Sequence, residues 1–299
     1  MEILPLQENM IRHLTNVYNE AVAPIPHCYP ANSYDMLAQV SPALSGEANE
    51  PRHDEAVFVA VDQRKMIGFA HAAIGPKKPG RGPDAGLIRF LWYRPGNREA
   101  GSALLKAAEA HCAALGYKEM HAFPQKHRYP FYLFSSAYMS DRFGHVAALF
   151  GLNGYQRCDG EVYMDWIECS VEKPGPLPDR LPVSVEHTAG LGRMPGVTVR
   201  VQPEGKQIGI CENVSAGEFS RDRLAQDWIF TEWLAVDEEY RCLGLGRWLM
   251  QRALWEALQI GYRHAAISTA WDNYRALLFY TNFGYQVRNW TYGYRRELS

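Results

Sequence analysis

The six residues Arg241-Cys242-Leu243-Gly244-Leu245-Gly246 stand between an apolar, β-rich run, 228–236, and a segment with helical spacing that carries Arg247, Trp248 and Leu249. The chemistry that suits this spacing is the binding of an anion. Amides of a helix's first turn lack partners inside the helix, and Gly244 and Gly246 let backbone come close to a ligand. A dinucleotide fingerprint would need a third glycine where Leu249 stands. It would also need an acidic residue after the next strand, His264 to Thr269, and neither is present. The triphosphate loop G-x-x-x-x-G-K-[ST] does not occur in the chain. The diphosphate of coenzyme A is left.

The turn follows the strand end Leu234-Ala235-Val236. Asn273-Tyr274-Arg275-Ala276 and then Phe279-Tyr280-Thr281-Asn282-Phe283-Gly284-Tyr285 come further on. In this order the blocks resemble the acyl-CoA site of the GNAT N-acetyltransferase superfamily. The resemblance implies that the turn from Arg241 through Gly246 and Arg247 holds the pyrophosphate. It further implies that the backbone of Leu234, Ala235 and Val236 pairs with the pantetheine arm and that Asn273 contacts the cofactor. Acetyl-CoA is then the cosubstrate and a small-molecule or peptide primary amine the acceptor, with no metal in the reaction. The alternative is a non-catalytic acyl-CoA-binding or interaction protein, against which intact Glu232 and Tyr280 argue.

Direct acetyl transfer needs a neutral amine, a place for charge on the carbonyl oxygen and a proton for the leaving thiolate. A lysine-type amine has a pKa near 10.4, so a base must act at neutral pH. Glu232 is the candidate. Counting by two along the strand, it shares a face with Leu234 and Val236, a face that can point towards cofactor or core. Tyr280 is the candidate general acid, its reference pKa near 10 keeping it protonated at pH 7 yet close to that of a thiol. A backbone amide near Ala235 or Val236 suits the carbonyl oxygen.

The elements that must position these residues occur twice. Val59 to Gly68 reads like Val199 to Gly209, a strand, a polar turn and a strand. Arg98-Glu99-Ala100-Gly101-Ser102-Ala103 follows Leu91-Trp92-Tyr93 as Arg241–Gly246 follows Leu234–Val236. Both turns lead to amphipathic helices that end in Leu115-Gly116-Tyr117 and Ile260-Gly261-Tyr262. Leu149-Phe150 through Gly154-Tyr155 then matches Phe279-Tyr280 through Gly284-Tyr285. The expected fold is α/β, two GNAT-like domains each with a mixed twisted sheet flanked by helices. The expected bounds are 1–168, a Pro-rich linker 169–182, and 183–299. Phe150 has no hydroxyl and Arg89, which aligns with Glu232, cannot act as a base. The chemistry is therefore expected in the second half, and the first half reads as a degenerate copy. The aromatic loop 123–143, where the first half departs from the repeat, can line a substrate pocket or pack against the second domain; packing is favoured because large aromatics bury area.

Lys and Arg total 31 against 33 Asp and Glu, which argues against a nucleic-acid surface. Six cysteines without C-x-x-C spacing give neither a zinc site nor a disulfide frame, and the ten histidines lack metal spacing. Cys242 inside the turn reads as a small filler or, beside helix-start amides, as a reactive thiol. Without a signal peptide or an apolar run of membrane length, a soluble, cytoplasmic protein is expected.

Overall fold

The computed structural model describes residues 1–41, 53–76, 84–135, 137–177 and 181–298. The chain forms two compact units. Met1–Glu161 with Asn289–Ser299 makes the first and Val162–Arg288 the second. The unit bounds thus fall inside strands, while the described part of the Pro-rich segment lies within the second unit.

In the first unit, β1 (Glu2–Pro5), β2 (His53–Asp62), β3 (Lys65–Pro76), β4 (Asp84–Tyr93) and β5 (Glu119–Ala122) are neighbours in that order. The last strand of the chain, β13 (Gln286–Glu297), continues this sheet antiparallel to β5, from Tyr294↔Ala122 to Glu297↔Glu119. Helices α1 (Ile11–Val22) and α2 (Ser33–Val40) precede β2, and α3 (Arg98–Ala114) connects β4 to β5. α3 buries Ala100, Leu104, Leu105, Ala108 and Cys112, the stripe of a helix packed on one side only. α4 (Gly144–Leu152) stands before β7 (Gln156–Trp166).

Loop 123–143, containing the short β6 (Met139–Ser140), is part of this unit's core. Phe123, Tyr129, Tyr132, Phe134 and Phe143 are buried. Phe90 of β4 stacks on Tyr129 at 5.7 Å and meets Tyr132 edge-on at 5.8 Å. The aromatics pack, and they do so within their own unit.

The second unit places Val162–Trp166 of β7 beside β12 (His264–Ala270). Next come β11 (Trp228–Val236), β10 (Gly209–Ser215), β9 (Gly196–Val201) and β8 (Val183–Thr188). α5 (Leu245–Gln259) follows β11 and buries Leu245, Leu249, Met250, Ala253, Leu254 and Ala257 against β9, β10 and β11. Each buried leucine of that stripe contributes about 2 kcal/mol of apolar transfer. α6 (Tyr274–Phe283) connects β12 to β13. The Pro-rich segment is strapped to α5. Trp248 Nε1 donates to Gly175 O at 2.6 Å, Gln251 Nε2 donates to Glu172 O at 3.0 Å, and Lys173 Nζ lies 4.8 Å from the Trp255 ring centre.

The internal repeat is visible in detail. Gly116 and Gly261, at φ +89° and +110°, end α3 and α5, and Gly154 and Gly284, at +80° and +139°, end α4 and α6. Left-handed backbone stops a helix most cheaply at glycine.

Candidate active site

The parallel ladder between β11 and β12 runs from Trp228↔His264 to Thr231↔Ile267 and stops there. A bulge in β11 is the cause. On the β10 side, Asn213 pairs with Thr231 and Glu212 with Trp233, which leaves Glu232 as the extra residue. A bulge bends and twists its strand. Beyond it β11 runs on to Val236 with its β12-facing edge outside the ladder, so the edge of Leu234, Ala235 and Val236 is available to a ligand.

The bulge also corrects the count by two. Cys211 pairs with Leu234 and Gly209 with Val236, so Leu234 and Val236 lie on the face of Thr231. Alternation does not run through Glu232. Its placement with Leu234 and Val236 therefore does not follow from spacing, because the inserted residue resets the period. Glu232 and Trp233 are the exposed residues of the strand.

The turn lies at the end of that open edge. Residues Arg241, Cys242, Leu243 and Gly244 are exposed, and α5 begins at Leu245, as the glycine spacing predicts. Gly244 is the N-cap with φ +83°, and no side chain caps the helix. A Cβ at Gly244 would meet nothing within 4 Å, so this glycine is needed for its backbone angle and for the open approach it leaves. Cys242 is left-handed too, at φ +64°. Three cations surround these amides: Arg241, Arg247 and Arg275 are all exposed. Arg241 Nε donates to Val236 O at 3.0 Å, tying the turn to the strand end and occupying one carbonyl of the open edge. Arg275 Nη2 lies 3.5 Å from Cys242 Sγ, which brings the first turn of α6 to the anion turn. Arg275 is a candidate site residue that sequence reasoning missed. The signal was present, since it lies two residues after Asn273 in the matched block.

Asn273 is the N-cap of α6, its Oδ1 accepting from Ala276 N at 3.2 Å. A cofactor contact from Asn273 would use its Nδ2. Tyr280 lies on the same helix and is buried. Burial first, and the neighbouring Cys211 sulfur second, push its hydroxyl well above the ordinary tyrosine pKa. Cys211 is the residue opposite Leu234, so Tyr280 is near the open part of β11. Tyr280, Glu232, the strand end and the turn are thus all borne by β11, the α5 start and α6. Large apolar side chains are left bare around them: Leu243 is 73 % exposed, Tyr274 72 %, Leu278 65 % and Trp233 59 %.

The corresponding part of the first unit is closed by its own side chains. β3 and β4 also carry a bulge, with His71 paired to Phe90 and Ala72 to Ile88, so that Arg89 is the extra residue. Arg89 is fully buried and donates to His127 O at 2.8 Å, Gln39 O at 2.9 Å and Glu55 Oε2 at 3.1 Å. α3 begins at Arg98, so Gly101 is inside the helix, unlike Gly244. A Cβ on Gly101 would lie 2.3 Å from the Tyr93 ring, which covers it. His145 Nε2 donates to Tyr93 O at 2.8 Å, and Tyr93 Oη donates to His145 O at 3.1 Å. Phe150, in the place of Tyr280, is buried between Tyr155 and Tyr294 at 4.9 and 5.2 Å.

An edge that leaves its ladder at a bulge and ends at an exposed glycine turn before a helix can take an extended ligand that carries phosphates. Residues 197–287 match the sequence model of the acetyltransferase (GNAT) domain, so the second unit carries a GNAT domain. Over its whole length the chain takes the fold of tandem GNAT proteins. It is similar to a tandem GNAT protein from the clavulanic acid biosynthesis pathway, with a TM-score of 0.66 and 14 % identity over 99 % of this chain and 98 % of that one. A GCN5-related N-acetyltransferase from Sphaerobacter thermophilus is similar at TM-score 0.63, with 12 % identity over 99 % and 95 % of the two chains. A GCN5-related glucosamine N-acetyltransferase region of a fungal multi-domain GH3 β-N-acetylglucosaminidase has TM-score 0.67 and 14 % identity. That likeness covers 99 % of this chain and 38 % of the fungal one. No curated protein sequence matches. Among the described residues, no helix is long and apolar enough to cross a membrane, and no group of three or more His, Cys, Asp or Glu could hold a metal ion.

Proposed function

We propose that this chain transfers an acetyl group from acetyl-CoA to a primary amine, and that its second unit does the chemistry. The observation that carries the reading is the end of the β11–β12 ladder at the Glu232 bulge, followed by the exposed, uncapped turn at Gly244. An extended pantetheine arm can continue the sheet along Leu234–Val236, while the α5 amides and the cations of Arg241, Arg247 and Arg275 take the phosphates.

The amine nitrogen attacks the thioester carbonyl carbon, the C–S bond breaks, and an amide and a thiolate form. Glu232, exposed at the bulge, takes the amine's proton directly or through water. Tyr280 gives its proton to the thiolate. Burial holds Tyr280 protonated, and the same desolvation raises the basicity of a thiolate formed beside it, so the two groups shift together. An amide of the open strand end holds the carbonyl oxygen. In this reading the first unit binds no acyl-CoA, because Tyr93 and His145 fill the place of the pantetheine edge.

The test is release of free thiol from acetyl-CoA in the presence of a panel of primary amines, run on the unaltered chain and on Tyr280→Phe. Amine-dependent release that the variant lowers supports the proposal. Binding of acetyl-CoA without turnover of any amine would leave a cofactor-binding protein instead.

A further inference from the structure

Trp233 is the unusual residue of the second unit. A tryptophan 59 % exposed on a strand is a large apolar surface left to water. Its position is not arbitrary, since it follows the bulged Glu232 where the β11–β12 ladder has stopped. Directly opposite it on β10 is Glu212, and directly paired residues of antiparallel strands present their side chains on one face, about 5 Å apart. Glu212 is 39 % exposed. Its ion pair with Arg200 Nη2 is long at 3.5 Å, because Arg200 Nη1 is held by Glu186 at 2.6 Å. Glu186, Glu212 and Arg200 together keep one net negative charge on this face. The other face of β11, that of Thr231, Leu234 and Val236, is the one α5 covers: Thr231 Oγ1 is 3.9 Å from Met250 Sδ of that helix. The Trp233 face is thus the side on which an acceptor can reach the bulge without crossing α5.

From this juxtaposition we infer that the acceptor is a ring-bearing primary amine whose ring stacks on Trp233 while Glu212 attracts its ammonium group. The inference rests on the transferase reading above. It assigns specificity to two residues outside the groups that move protons. A flat indole next to carboxylates recognises an apolar ring joined to a cation and gains nothing from a short aliphatic amine. Once the ammonium is docked beside Glu212, its proton passes to Glu232, so the inference adds no chemical step.

The experiment compares 2-phenylethylamine with ethylamine as acceptors, by thiol release from acetyl-CoA, for the unaltered chain, Trp233→Ala, Trp233→Phe and Glu212→Gln. The expected KM for 2-phenylethylamine is about ten-fold or more below that for ethylamine. Trp233→Ala erases that ratio, Trp233→Phe retains most of it, and neither changes the KM for acetyl-CoA. Glu212→Gln raises the KM of both amines several-fold and leaves the pH profile of kcat in place, which a loss of the base would move. Equal KM values for the two amines, or a ratio that survives Trp233→Ala, overturns the inference and leaves the transferase reading standing. An unchanged ratio with a shifted sedimentation coefficient for Trp233→Ala also overturns it, by showing that a second copy covers the tryptophan. Turnover of neither amine overturns the ring-bearing acceptor, and failure of the transferase reading itself would show separately as no binding of acetyl-CoA in calorimetry.

Discussion

Tyr280 and Glu232 differ in how their surroundings prepare them. Tyr280 is buried, with its pKa raised by burial, so it remains a proton donor throughout any workable assay range. Tyr280→Phe should lower turnover about 10²-fold with acetyl-CoA affinity nearly unchanged, as expected for loss of one proton donor. Steady-state rates set beside calorimetric affinities check this, and full activity would remove Tyr280 from the mechanism. Glu232 sits at the exposed bulge, and Glu232→Gln should lower kcat about 10²-fold with acetyl-CoA affinity nearly unchanged, as expected for loss of one base. Full turnover in the variant would place the base elsewhere. At this scale the sequence was partly legible. Both candidates were legible as residues of β11 and of the α6 block, but the direction of Glu232 was not, because one inserted residue resets the alternation that direction is read from. Arg275 was overlooked for a different reason. Its block, two residues after Asn273, pointed to it, but its contact with Cys242 joins residues far apart in the chain, and sequence pattern does not report which distant residue it meets.

The anion turn is the element whose sequence said most. Gly-x-Gly at a strand-to-helix junction fixes backbone angles, and the structure has Gly244 left-handed with α5 starting at the next residue. Gly244→Ala meets no atom, so its cost should be that of the angle alone, about 1 kcal/mol in stability. Urea denaturation would measure it, and a loss several times larger would mean that the turn is packed rather than open. Cys242 offers a second probe, being exposed in this turn while Cys112, Cys169 and Cys211 are buried. Alkylation of Cys242 by iodoacetamide should slow several-fold when coenzyme A is present. Equal rates with and without it would place the ligand elsewhere. The first unit shows how little sequence distance separates an open element from a closed one. Arg98 and Gly101 are retained, yet the helix starts four residues earlier than the repeat predicts and Tyr93 lies over the glycine. Composition alone could not report that, because a helix start is set by the packing of neighbouring side chains as well as by its own residues.

At the scale of the whole molecule, the repeat made the tandem organisation legible, and the strand exchange was hidden. Hydrophobic period identifies a strand and does not say which sheet it joins. Asn289–Ser299 belongs to the first unit even though it ends the chain, and Val162–Trp166 belongs to the second. Removal of Asn289–Ser299 should therefore destabilise the first unit, lowering the melting temperature, while acetyl-CoA binding in the second persists. Loss of binding with intact melting would contradict that assignment. Alkaline pH gives another global test. Burial pushes the Cys169 and Cys211 thiols up to about 12. Unfolded thiols ionise near 8.5 to 9, so the folded state's stability is full below that range and is lost as pH rises towards 12, by about 1.5 to 2 kcal/mol per thiol at pH 10. The urea midpoint should fall between pH 8 and pH 10, and a constant midpoint would show that these thiols are already accessible. The central claim, that cofactor binding belongs to the second unit alone, is tested most directly by calorimetric titration of the chain with acetyl-CoA, repeated on Gly244→Trp. That tryptophan would stand in open space within the fold and in the ligand's place at the turn. One site per chain, lost in Gly244→Trp, is the predicted result, and two sites, or one that survives the substitution, would contradict it.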